Sequence, residues 1–336
     1  MVPSYPCFIL RTAIVLLATF FSACSSASTT PGDEVKAIIG RAESAEPNLR
    51  AKAELAAMYL LGRGVPQDTA LAVKWFREID AYTDANQAKM MGYVPKGTAE
   101  IQFTLGEIYA YGDARVPKDL VEAEKWYRKA AKIGHMGAQF TLGNLYEYND
   151  GVEAVKWFRL AAEQGDAKSQ LGLSRHYFRG DGVPNDEVLG ASWARKAAEQ
   201  GDSRAMSVLA GCYYYGNGVP KDVVEGARWD KMAAENGNGW NQIEYAKRLM
   251  FGLHMPKNQD EAVKWLLRAA RGDKKSGGVD AQARLGFLYL NGYDAVAKDE
   301  IQAVRWLRLA AEQGDLESQR ALEKLQKEFE AKKVGK

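Results

Sequence analysis

Between Ser203 and Tyr215 the apolar side chains Ala205, Leu209, Ala210 and Tyr213 fall at i, i+4, i+5 and i+8, the spacing of one buried helix face. Gly216 and Gly218 then permit a tight turn at no steric cost, and Pro220 blocks further helix, so this helix A ends at the first glycine. A second stripe follows in Gly226, Trp229, Ala233 and Ala234. This helix B opens at Asp222, whose carboxylate can accept the unpaired amide N–H groups of the first turn. Glu225, three residues on, is placed to reach back and complete a capping box, and Gly237 closes the helix. The pattern predicts a helix-turn-helix pair joined by a Gly- and Pro-bearing turn.

The same pattern is written repeatedly along the chain. WFRLAAEQGD occupies residues 157–166, WLRLAAEQGD residues 306–315, and WARKAAEQGD begins at Trp193. Tryptophans at 75, 126, 157, 193, 229, 265 and 306 mark seven copies whose prevailing period is 36 residues, with Trp240 lying outside the series. A second landmark of the form LGxxYxxGxGVPxD precedes each Trp, beginning at Leu55, Leu105, Leu142, Leu173, Leu209, Tyr245 and Leu285. Every departure from the period falls in a turn: a deletion after Leu142, and insertions after Trp75 and Trp265. Asp119 with Glu122 and Asp299 with Gln302 repeat the capping arrangement. Three residues before each Trp stands a small residue, Ala72, Ala123, Ala154, Gly190, Gly226, Ala262 or Ala303, which lets helices approach while the indole fills the gap. These tryptophans are expected in the core. One helix pair cannot bury both its faces, so neighbours must stack into an all-α solenoid with atypical ends. The expected layout is a capping helix over residues 34–50, seven repeats over 51–317, and a C-terminal capping helix and tail over 318–336.

The repeated consensus AxxxLGxxYxxGxGVxxDxxxAxxWxxxAAxxG resembles the Sel1-like repeats, relatives of the tetratricopeptide repeats with a longer unit. The resemblance implies a right-handed α/α superhelix that binds a partner protein in its concave groove, without cofactor or catalysis. Carrying over the groove positions of tetratricopeptide helices implies a partner-binding face of Phe103, Glu107, Phe140, Asn144, Glu147, Arg175, Phe178, Tyr214, Lys247, Met250, Phe287 and Leu290, flanked by Leu60 and Leu171. The alternative for Phe103, Phe140 and Leu171 is packing inside the solenoid.

Composition adds no second chemistry. The 336 residues are 46% apolar and 26% charged, an ordinary globular balance. Forty-five basic and 43 acidic residues are spread evenly, so no basic stripe points to nucleic acid. Residues 1–23 differ: one Arg precedes the apolar run TAIVLLATFF, too short for a membrane span and typical of an export signal. FSAC, residues 21–24, resembles a lipobox, which implies lipidation of Cys24, a flexible tether over 24–33 and a periplasmic, outer-membrane-anchored protein. Cleavage near Ala27 without lipidation is the alternative. Lipidation leaves Cys212 alone, so a disulfide-free, metal-free monomer is expected, with Cys212 a small buried residue.

His135, His176 and His254 lie in different repeats with no zinc-binding spacing. Neither GxSxG nor SxxK occurs, and the recurring carboxylates sit at helix caps, so no enzyme is expected. The sequence therefore points to a non-enzymatic envelope scaffold, or to a dedicated inhibitor such as an immunity lipoprotein or a periplasmic regulator of a sensor kinase. The insertion at 82–97 is the chief departure from the period, and long loops often carry function.

Overall fold

The computed structural model describes residues 31–44, 48–86, 97–237, 239–272, 277–293 and 296–334. Among these are sixteen α-helices and no β-strand. The expected signal, lipobox and tether up to residue 30, and residues 87–96 of the insertion, lie outside the described residues.

The chain divides into two compact units at Gln164/Gly165. The first begins with α1 (Pro31–Ala42), which packs on α2 (Leu49–Leu61). Three A/B pairs follow: α2 with α3 (Thr69–Asn86), α4 (Thr98–Tyr111) with α5 (Leu120–Lys132), and α6 (Met136–Tyr146) with α7 (Gly151–Glu163). The second holds four pairs: α8 (Ala167–Arg179) with α9 (Glu187–Glu199), α10 (Ser203–Tyr215) with α11 (Val223–Asn236), α12 (Gly239–Phe251) with α13 (Gln259–Ala269), and α14 (Gly278–Asn291) with α15 (Glu300–Glu312). The last helix, α16 (Leu316–Val334), packs on α15. Within each unit every B helix also touches the next A helix, so the pairs stack as a solenoid. In the second unit consecutive A helices meet directly, α10 with α12, α12 with α14 and α14 with α16. The A helices therefore line the inner side of that stack.

The landmark leucines Leu55, Leu105, Leu142, Leu173, Leu209 and Leu285 are completely or almost completely buried, as are all seven small residues three before the Trp. Trp75, Trp126, Trp157 and Trp265 are buried; Trp193, Trp229 and Trp306 are half-buried. Basic side chains cover several of them, for example Lys129 Nζ 5.1 Å from the Trp126 ring centre and Lys196 Nζ 4.0 Å from that of Trp193. Such pairs lay the aliphatic stem over the indole while the charge stays wet.

The caps form with one change from expectation. Asp119, Asp222 and Asp299 accept first-turn N–H groups at 3.0 Å. The return bond of a capping box is replaced by another device. The N–H of each capping residue donates to a carbonyl in the last turn of the preceding A helix: Asp119 to Tyr109, Asp222 to Tyr213, Asp299 to Tyr289. That arrangement satisfies an unpaired donor and an unpaired acceptor together. The glutamate three residues on is thereby available to the indole N–H one turn later, as in Trp126 to Glu122 at 3.1 Å and Trp157 to Glu153 at 2.8 Å.

The recurring WxRxAAEQGD follows from packing, letter by letter. The Trp fills the helix gap, and the Arg two residues on reaches the Tyr of the next A helix: Arg128 to Tyr146 OH at 2.6 Å, and Arg195 to Tyr213 OH at 2.7 Å. The paired alanines are buried between helices, except Ala311 in the last copy, which is half-buried. The glutamine turns back to a buried glutamine on its own A helix, Gln200 to Gln170 and Gln313 to Gln282, both at 2.8 Å. Gln282 in turn donates to the carbonyl of Ala270 at the end of the previous B helix, 2.9 Å away. Two side chains thus tie three helices at the interior ends where carbonyls would otherwise lack donors. Gly201 and Gly314 hold φ near +92°, and Asp202 and Asp315 cap the helices that follow. In WYRKAAKIGHM the aspartate is replaced by His135, which caps α6 through Nδ1 and holds Glu100 through Nε2 at 2.9 Å.

Candidate functional site

Each A helix offers one face not covered by its own B helix. Counting from the landmark residue as zero, the carried-over groove positions are −2, +2 and +5. The structure buries several of these residues. Position +5 points toward helix B, so Leu60, Glu147, Tyr214 and Met250 are buried, and Phe178 packs against Gly190. At −2, Phe103 is half-buried between Tyr127 and a stacked His135, ring centres 5.6 and 4.4 Å away. Phe140 is half-buried 6.3 Å from Phe158, and Leu171 is buried. At +2, Glu107 is buried, Arg175 and Phe287 are half-buried, and only Asn144 and Lys247 are exposed. Leu290, at +5, is half-buried.

Four exposed aromatic residues occupy position +6, one residue beyond, while Tyr82, Trp240 and Tyr293 are exposed elsewhere. Tyr111 is 50% exposed and Tyr148 83% in the first unit; Tyr215 is 64% and Phe251 52% in the second. Each stands at or just past the last turn of an A helix, at the edge where the A–B turn begins. In the third repeat the shortened turn also bares Leu145, at +3, a position buried in its neighbours as Ile108, His176 and Cys212. Met136 is exposed at the other end of α6, a helix without a charged residue.

The second unit contains a buried polar group that links two repeats. Tyr214 OH donates to Asp230 Oδ2 at 2.9 Å, and Arg248 Nε lies 2.6 Å from the same oxygen. Asp230 takes the place held elsewhere by Phe76, Tyr127, Phe158, Leu266 and Leu307. Burial pushes the Asp230 carboxyl above the ordinary range against the pull of Arg248, and burial with the nearby Asp230 holds the Tyr214 phenol protonated. His254 stacks on Tyr214 with ring centres 4.6 Å apart. Tyr214 and Asp230 are both buried, so the chemistry of this group is that of a packed junction.

Among the described residues no three His, Cys, Asp or Glu side chains are placed to hold a metal ion, and no helix is long and apolar enough to cross a membrane. The three histidines sit in separate structural roles: a helix cap, a bond to the Asp181 carbonyl, and a stack on Tyr214. Cys212 is buried and free, and burial pushes its thiol up to about 11.

The sequence profile of the Sel1 repeat family matches residues 49–78, 99–135, 138–166, 167–202, 203–238, 242–274 and 279–315. A solved Sel1 repeat protein from Oxalobacter formigenes shares 28% identity and superposes with a TM-score of 0.71, over 94% of this chain and 87% of its own. A protective antigen present in uropathogenic Escherichia coli strains, displaying an SLR fold, shares 31% identity at a TM-score of 0.67, over 94% of this chain. This chain spans 63% of the length of that antigen. An immunity protein from Pseudomonas aeruginosa aligns at 20% identity and a TM-score of 0.42, over 64% of this chain and 80% of its own. No curated protein matches the chain significantly.

Proposed function

This chain belongs to the Sel1 repeat family, whose members are protein-interaction scaffolds, and from that premise we propose a non-enzymatic adaptor of the bacterial cell envelope that holds a partner protein on its A-helix faces. One observation carries the reading: Tyr111, Tyr148, Tyr215 and Phe251 are exposed at the same position of four repeats. Exposed aromatic side chains, here two on each unit, are the usual anchors of protein interfaces. The opposite, B-helix side is covered by lysines and arginines laid over tryptophan.

The test is capture of partners from a native envelope extract by the purified chain and by Tyr111→Ser, Tyr148→Ser, Tyr215→Ser and Phe251→Ser combined. Loss of the captured protein with helix content unchanged supports the reading. Retained capture by the folded variant removes it. Whether the captured protein is a toxin or a resident of the envelope separates an inhibitor from a scaffold.

Export and lipidation at Cys24 form part of the same proposal, supported by the short apolar run that ends in FSAC. Cys24→Ala should move the protein from the membrane to the soluble periplasmic fraction, and unchanged fractionation would remove the anchor.

A further inference from the structure

One row of exposed side chains is not explained by packing. The second residue after the helix-B cap is Val121, Val152, Val188, Val224 or Ile301 in five of the seven repeats, and these residues are 66% to 82% exposed. The first repeat has Ala70 at this place and the sixth Asp260. Leu120, beside Val121, is 57% exposed. A β-branched residue has a lower helix propensity than alanine, and facing water it gains nothing from burial. Leu120, Val121 and Val152 belong to the first unit and the other three to the second.

In the first unit the chain enters at the same edge. Val35, in the first turns of α1, lies against the turn between α2 and α3: a Cβ at Gly64 would stand 2.8 Å from Val35 Cγ2. The turn between α4 and α5 is tied to that one. Arg115 forms an ion pair with Asp68, which caps α3 by accepting the Leu71 N–H at 3.1 Å. Val116 is buried in the apolar cluster that Val35 and Val65 flank. Leu120 and Val121 follow directly on this second turn, so Val35 and Val121 share the A–B turn edge of the unit. From Cys24 to Pro31 the chain takes seven residue steps, which span at most about 25 Å. A lipid on Cys24 therefore holds this edge that close to the bilayer. The carboxylates along it are engaged within the fold. Asp68, Asp113, Asp119 and Asp150 accept backbone N–H groups, and Glu122 and Glu153 pair with Lys125 and Lys156.

We propose that Leu120, Val121 and Val152 dock the first unit on the surface of the bilayer that carries the chain's own lipid, with their side chains at the boundary between headgroups and acyl chains. The inference rests on the reading of Cys24 as the lipidated residue. Aliphatic groups raised on helix ends insert at that boundary through burial of apolar area, without need of charge. The aliphatic row belongs to the B helices and the aromatic row to the A helices, so membrane and partner take different rows.

The test uses the full mature chain joined through the Cys24 thiol to a maleimide-bearing phospholipid in vesicles of phosphatidylethanolamine and phosphatidylglycerol. Coupling supplies the anchor chemically, so the result does not depend on whether the cell lipidates Cys24, and Cys212 is buried away from the reagent. The solvatochromic amino acid dansylalanine replaces Val121, Val152 or Lys132 in turn. Lys132 is exposed at the other end of α5 from Val121, about 16 Å along the helix. Coupling should shift the emission at 121 and 152 to the blue, and nitroxide-labelled acyl chains should quench those sites at least twofold more than 132. Both effects should survive raised salt, because apolar contact is not screened as charge is. Matched circular dichroism qualifies each labelled chain, and a label at Leu120 replaces one at Val121 that unfolds it. Equal quenching at the three sites, or none at 121 and 152, overturns the docking while leaving the anchor and the partner readings intact. A blue shift that appears only when envelope proteins are added assigns the row to a protein and overturns it as well.

Discussion

The ring of Tyr214 packs directly against Gly226: a Cβ at Gly226 would stand 2.7 Å from ring atoms Cδ1 and Cε1. The pairing follows a rule that runs along the chain. The two repeats with an aromatic residue at +5, Phe178 and Tyr214, have Gly190 and Gly226 three before the Trp. The other five, with Leu60, Ala110, Glu147, Met250 and Leu290, have Ala72, Ala123, Ala154, Ala262 and Ala303. Helix spacing within a repeat is thus set by the sum of two side chains. Gly226→Ala should lower stability by about 1 to 3 kcal/mol through overpacking. In a Tyr214→Leu background the same change should cost less or become stabilising, since alanine is the better helix former by about 1 kcal/mol. Urea unfolding of the four-member cycle checks this. Additive effects would show that the two residues are not coupled.

The indole bonds give a second comparison. Trp157 donates to Glu153 at 2.8 Å, whereas Glu225, at the corresponding place, turns to Arg228 at 3.5 Å and the Trp229 indole N–H has no acceptor. Glu153→Ala leaves a buried donor unsatisfied and should cost about 1 to 3 kcal/mol. Glu225→Ala breaks only an exposed ion pair and should cost under about 1 kcal/mol. Equal losses in denaturant midpoint would show that the indole bond is not what distinguishes the two sites.

Much of this was legible in the sequence. Leu209, Gly226 and the capping aspartates repeat because backbone geometry and packing demand them, and the structure places them accordingly, whereas Trp229, expected in the core, is half-buried. What was not legible is direction at one residue's resolution. At about 100° per residue, +5 stands about 140° from the buried landmark and +6 about 240°. The former faces helix B and the latter solvent, so positions carried over from a shorter repeat fall on the buried Tyr214 and Met250, while their neighbours Tyr215 and Phe251 are exposed. The glutamine network was missed for another reason. Gln139, Gln170 and Gln282 are polar residues at buried positions, and hydrophobic periodicity reads such residues as exposed.

Gln282 is the clearest test of that network, because it accepts from Gln313 and donates to the Ala270 carbonyl. Gln282→Leu keeps the volume but removes both bonds, leaving the Ala270 carbonyl without that donor while Gln313 keeps its bond to the Leu309 carbonyl. The expected loss is about 1 to 3 kcal/mol, the cost of one orphaned buried group. A shallower urea slope should accompany it if the last repeats uncouple from the stack. A change under about 0.5 kcal/mol with unchanged slope would mean that water replaces the glutamine.

Burial raises the Cys212 thiol from its ordinary value near 9.0 to about 11. The folded protein therefore holds the thiol proton more tightly than the unfolded chain. The contribution is fully present below the unfolded thiol's range and is lost as pH rises through about 11. Tyr214 and Tyr245, their phenols also raised by burial, act in the same direction. Unfolding midpoints should fall between pH 9 and 11, and Cys212→Ala should remove part of that fall. Since the thiolate is the reactive form, the native thiol should also resist alkylation at pH 8 and react rapidly in urea. Fast labelling of the folded protein at pH 8 would show that the fifth repeat opens locally, for alkylation requires both access and deprotonation.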